Sequence, residues 1–159
     1  MEYVYLGILI FIFGLAIFDL IIGVSNDAVN FLNSAVGAKT ASFKVILGLA
    51  AIGVFFGAAT SNGMMDVARH GIFQPQYFTF VEIMCILMAV MVTDVILLDT
   101  FNSLGMPTST TVSLVFELLG GTVALAMIKS IASEGALTFG EMINTDKVLT
   151  VVLGIFLSI

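Results

Sequence analysis

The chain has 159 residues, 60% of them hydrophobic and 10% charged, with 11 acids against 5 bases and a formal net charge of −6. That is well below the roughly one quarter of charged residues usual in a soluble domain, and the acidic balance argues against a nucleic-acid surface. One cysteine, Cys85, excludes an internal disulfide; neither it nor the single histidine, His70, next to Arg69 in a polar loop, has neighbours suited to a metal site.

Only helices or closed barrels cross lipid, because every backbone polar group must be paired there. The apolar runs are about 20 residues long and do not alternate, which is the pattern of membrane helices. The sequence predicts helices over residues 3–24, 43–61, 78–101, 108–128 and 146–159. The fold class expected is an all-α polytopic membrane protein with broken or re-entrant helices, in the inner or plasma membrane. The first run is too long for the apolar region of a signal peptide and lacks a basic leader. The last is too short to cross, so the chain reads as a single transmembrane domain from the N-terminal side of a larger protein. In the second run, Gly53 and Gly57 have the spacing that admits close helix approach, and packing within the chain is the expectation.

Two polar breaks interrupt this pattern. The first is "SNDAVNFLNS", residues 25–34. Asn26, Asp27, Asn30, Asn33 and Ser34 recur at helical spacing, so one face, or a helix broken near Gly23–Ser25, gathers several oxygens. A carboxylate with amide carbonyls suits a hard cation such as Na⁺, or a proton on the carboxylate. The alternative is an ordinary interfacial helix end capped by Ser, Asn and Asp.

The second break is "NSLGMPTSTTV", residues 102–112. Gly105 and Pro107 end one helix, and Pro suits the first turn of the next. Thr108, Ser109, Thr110 and Thr111 then put four hydroxyls at a fresh helix start, where free N–H groups and the helix dipole favour an anion. The alternative is a simple Ser/Thr cap. Whether 108–128 crosses the bilayer or returns as a re-entrant arm stays open. A cation-seeking break and an anion-seeking break together fit an ion-coupled secondary transporter. Asp19, Asp94, Asp99 and Glu117 are further candidates for a coupling or ion pathway, or for structural pairing between helices. No nucleophile–base pair and no Gly-rich phosphate loop is visible, so an enzyme is not expected.

These two breaks resemble the signatures of the PiT family of inorganic phosphate transporters. The family's G-A-N-D-x-A-N followed by A-V-G corresponds to Ser25-Asn26-Asp27-Ala28-Val29-Asn30 and Ala35-Val36-Gly37; its G-x-P-x-S-T-T-H corresponds to Gly105 through Val112. The chain departs from the family in carrying Val24 for the first glycine and Val112 for the histidine, and it has no second N-D-x-x-N. The resemblance implies phosphate uptake coupled to Na⁺ or H⁺, with no other cofactor. Asp27, Asn30 and Asn26 would serve the cation. Ser109, Thr110, Thr111, Thr108 and the edge of Asn26 would serve phosphate. It further implies an inverted second repeat of the same protein as partner, with a homodimer as an additional arrangement. A carrier of another oxyanion such as sulfate would look alike over this length. A non-transporting scaffold or accessory subunit would leave Asp27 and the hydroxyl cluster without a role.

Overall fold

A computed structural model describes residues 2–61, 71–106, 108–133 and 139–157. Arg69, His70, Pro107 and the last two residues of the expected fifth segment lie outside them. The described residues form α1 (Glu2–Gly37), α2 (Phe43–Thr60), α3 (Phe80–Ser103), α4 (Thr110–Ala132), the short α5 (Phe139–Met142) and α6 (Thr145–Leu157). Four of these, α1 to α4, are long and apolar enough to cross a membrane. The protein is an all-α polytopic membrane protein, with much of its apolar surface, including Phe13, Phe55 and Ile96, facing outward as a lipid-exposed surface would.

Helix α1 does not break near Gly23–Ser25. It runs unbroken through the first polar stretch for 36 residues, or about 54 Å at 1.5 Å per residue. That exceeds the ~30 Å hydrocarbon core, so α1 must tilt or project from it. The polar residues are tolerated because they leave the main-chain ladder intact. Ser25, for instance, turns its hydroxyl back to donate to the Ile21 carbonyl at 2.9 Å.

Helix α2 packs along the C-terminal half of α1, where Val24, Ala28 and Leu32 face Leu47, Ala51 and Phe55 across an apolar groove. Within α2 only Ile46 is buried. Packing of Gly53 and Gly57 inside the chain is not found: a Cβ built at either meets nothing within 4 Å among the described residues. The close-approach face of α2 is open.

Helices α3 and α4 form an antiparallel hairpin with the main core between them, built from Ile86 and Val90 on one arm and Val115, Leu118 and Ala126 on the other. The turn at its tip follows from Gly105, whose φ of +69° is the left-handed conformation that closes a helix. The Met106 N–H reaches back to the Phe101 carbonyl at 2.9 Å and the Gly105 N–H to that of Asn102 at 3.1 Å. At its base, Thr79 and Glu82 form a capping box at the start of α3. Lys129, in the last turn of α4, donates to Glu82 Oε2 at 2.8 Å and to the Tyr77 carbonyl at 2.7 Å, and sits 5.4 Å from the Phe78 ring centre. The cation at one helix C-terminus and the carboxylate at the other N-terminus also complement both dipoles. An isolated antiparallel bridge, Phe73 to Ile143, ties the segment before α3 to the α5–α6 junction.

The register against α1 fixes the site. Asn102 lies by Ile22, Leu98 by Gly23 and Asp94 by Asp19, so α1 and α3 run parallel. Thr110 lies by Asp27 and Glu117 acts on Asp19, so α4 runs antiparallel to α1.

Candidate functional site

The hairpin tip meets α1 at the first polar break. Asn26 is fully buried, at 0% exposure, although it is an amide in an apolar chain. Burying an amide is costly unless it is hydrogen-bonded, and Asn26 is bonded at both ends. Its Nδ2 donates to the Thr108 carbonyl at 2.6 Å, and its Oδ1 accepts from the Thr108 N–H at 3.3 Å. The side-chain amide thus pairs with main chain as one strand residue pairs with another, and it holds the tip against α1.

One residue on, the Thr110 hydroxyl donates to both oxygens of Asp27, at 3.3 and 3.2 Å. Ser109 is the N-cap of α4, its Oγ accepting from the Val112 N–H at 3.4 Å. The half-buried Asp27 carboxylate therefore stands at the positive end of a 23-residue helix. Sequence residues 82 and 83 positions apart come together here.

The other sequence candidates divide. Thr108 and Thr110 are half-buried; Ser109 and Thr111 are exposed beside them at the start of α4. Asn30, with Asn33 and Ser34, is exposed further along α1. Asp99 is exposed on α3. Asp19, Asp94 and Glu117 form a second polar layer deeper between α1, α3 and α4. Two structural participants escaped the sequence reading. Asn102 donates to the Ile22 carbonyl at 3.4 Å; its position just before Gly105 was the available clue. Lys129 closes the base of the hairpin, and the T-x-x-E spacing of Thr79 and Glu82 before an apolar run was the signal for that end.

A groove of about 600 Å³ opens along the α3–α4 seam, lined by Thr93, Thr108, Ser113 and Glu117 among apolar residues. Among the described residues no group of three His, Cys, Asp or Glu side chains has the geometry to hold a metal ion.

A family model described as the phosphate transporter family matches residues 23–159, most of the chain and both polar breaks. No curated protein and no solved structure matches it.

Proposed function

The chain belongs to the phosphate transporter family, and on that premise we propose that it carries inorganic phosphate across a membrane by symport with a cation, Na⁺ or H⁺. The contact between Asp27 and Thr110 carries this reading. It makes the cation half and the anion half of the site neighbours.

The reason for coupling is electrostatic. Phosphate is drawn to the first turn of α4 by the free N–H groups, the helix dipole and the hydroxyls of Thr108, Ser109, Thr110 and Thr111. The Asp27 carboxyl already takes the Thr110 hydroxyl at that position, and with no cation beside it would oppose a second negative group. Two unit charges of like sign about 4 Å apart cost roughly 4 kcal/mol at an effective dielectric of 20, and a phosphate dianion costs more. A cation on Asp27 removes the repulsion and frees the Thr110 hydroxyl for phosphate. Each ion thereby lowers the cost of holding the other.

In this reading Asn30, one turn past Asp27, adds an amide oxygen to the cation shell. Asn26 positions the site, since its amide is engaged with Thr108. The rest of the shell comes from a second repeat of the same protein, and access alternates as one repeat rocks against the other.

The test is phosphate uptake by the full-length protein in liposomes, with and without a Na⁺ gradient, alongside Asp27→Asn and the double variant Ser109→Ala/Thr110→Ala. Loss of cation-driven uptake in both supports the assignment. Uptake indifferent to both would sink it, and sulfate competing as well as phosphate would widen the substrate to oxyanions.

A further inference from the structure

Eight residues before Asp27 on α1, about 12 Å along the helix axis, lies a polar layer of a different kind. Asp19 from α1, Asp94 from α3 and Glu117 from α4 converge there. Asp94 is 5% exposed. Asp19 Oδ1, Asp94 Oδ1 and both Glu117 oxygens are buried without a hydrogen-bond partner. The charged groups acting on Asp94 are Asp19, Glu117 and, more remotely, Asp27, all of them acids. Lys129 lies at the far end of α4, engaged with Glu82 and Tyr77. The fully buried Leu98, packed at Gly23, stands between this layer and the Asp27 site.

Ionised carboxylates within a membrane persist where something neutralises them. Among the described residues no basic side chain faces the layer. The three groups do not have the geometry of a metal site. A proton is the ligand that fits, because a carboxylic acid supplies the O–H donor that the orphaned oxygens lack. We propose that Asp19, Asp94 and Glu117 form a proton-holding site, distinct from the Asp27–hydroxyl site and centred on Asp94, whose loading accompanies the transport cycle. The coupling to transport rests on the phosphate-carrier reading; the holding of a proton does not.

The experiment uses the full-length protein in liposomes. Phosphate–phosphate exchange is measured in symmetric buffer, and net uptake under an inside-alkaline pH gradient with a trapped pH dye. The wild type is expected to show net uptake stimulated by the gradient, with protons entering alongside phosphate. Asp94→Asn and, separately, Glu117→Gln are expected to lose that stimulation, read as a ratio to each variant's own exchange. Exchange by the wild type without any response to the gradient, or full stimulation in both variants, would overturn the proposal. Absence of exchange in the wild type would instead overturn the transport reading. Infrared spectroscopy in detergent is independent of transport and of variant folding. A buried protonated-carboxyl band in the wild type at neutral pH is expected, diminished in whichever variant folds; its absence in the wild type overturns the proton-holding site.

Discussion

The two polar layers between α1 and the α3–α4 hairpin are opposites in how their hydrogen bonds are satisfied. At the tip, Asn26 is bonded at both ends and Asp27 accepts from Thr110. About two helical turns of α1 lie between here and the Asp19 layer, yet there Asp19 Oδ1, Asp94 Oδ1 and both Glu117 oxygens stay unpartnered. Both layers are acidic, and both lie on the same three helices. The difference is the helix end: the tip exposes unused N–H groups and hydroxyls at the start of α4, whereas the deeper layer meets only the closed sides of helices, which have no main-chain donor to give. Donors at the tip are the kind of group an anion would take up. Their absence in the deeper layer makes the carboxyls themselves the chemistry.

Four substitutions sharpen or break this contrast. The largest effect is expected from Asp27→Asn, which removes the charge a cation must neutralise. Cation-driven phosphate uptake should fall about 100-fold or more, since roughly 3–4 kcal/mol of coupling is lost at 1.4 kcal/mol per tenfold; a fall of less than tenfold in the liposome assay would detach the cation from Asp27. Asn26→Ala strands the Thr108 N–H and carbonyl and opens a hole beneath the tip. A loss of about 2–4 kcal/mol is expected in denaturation of the purified protein in detergent. An unchanged midpoint would mean that the tip is held by something else.

Asp94→Asn should act with the opposite sign. Replacing a buried acid crowded by other acids with a neutral amide of the same shape should raise stability by about 1–2 kcal/mol, an exchange of function for stability. Destabilisation of that size would show the deeper layer to be a structural network. Thr110→Val keeps the shape and deletes one donor. Hydrogen bonds between membrane helices average about 0.6 kcal/mol, with a maximum near 1.7, so unfolding should change by less than about 2 kcal/mol while phosphate affinity weakens.

Much of this was legible in the chain before any coordinates. Long apolar runs locate membrane helices because lipid forces each backbone group to pair within its own segment, and α2, α3 and α4 lie where those runs do. The course of α1 was not legible. Asn26, Asp27, Asn30 and Asn33 look like punctuation, and residues of that kind favour turns in isolation. Within α1 their side chains find partners elsewhere or face outward, so the helix has no reason to stop. Both halves of the proposed site were visible as motifs. The pairing of Asn26 with Thr108 was not, because contact between residues 82 positions apart depends on how the hairpin docks. Likewise Asp19, Asp94 and Glu117 were each conspicuous as acids in apolar runs, but their convergence depends on α1 and α3 running parallel with α4 returning between their levels. The Gly53–Gly57 face shows the reverse limit: the spacing is plain in the sequence, and its partner is not among the described residues.

Asn26 grips Thr108 through its peptide groups alone. As far as holding the tip is concerned, tolerance of substitution at the two positions should therefore be lopsided. Position 108 can exchange threonine for many side chains, because the N–H and carbonyl it offers are common to all of them but proline. Position 26 has no such freedom. Aspartate lacks the donor, leucine of similar size lacks both groups, and glutamine carries the amide one carbon too far. A selection for stable folding alone, over libraries at both sites, should recover asparagine almost alone at 26 and a broad set at 108.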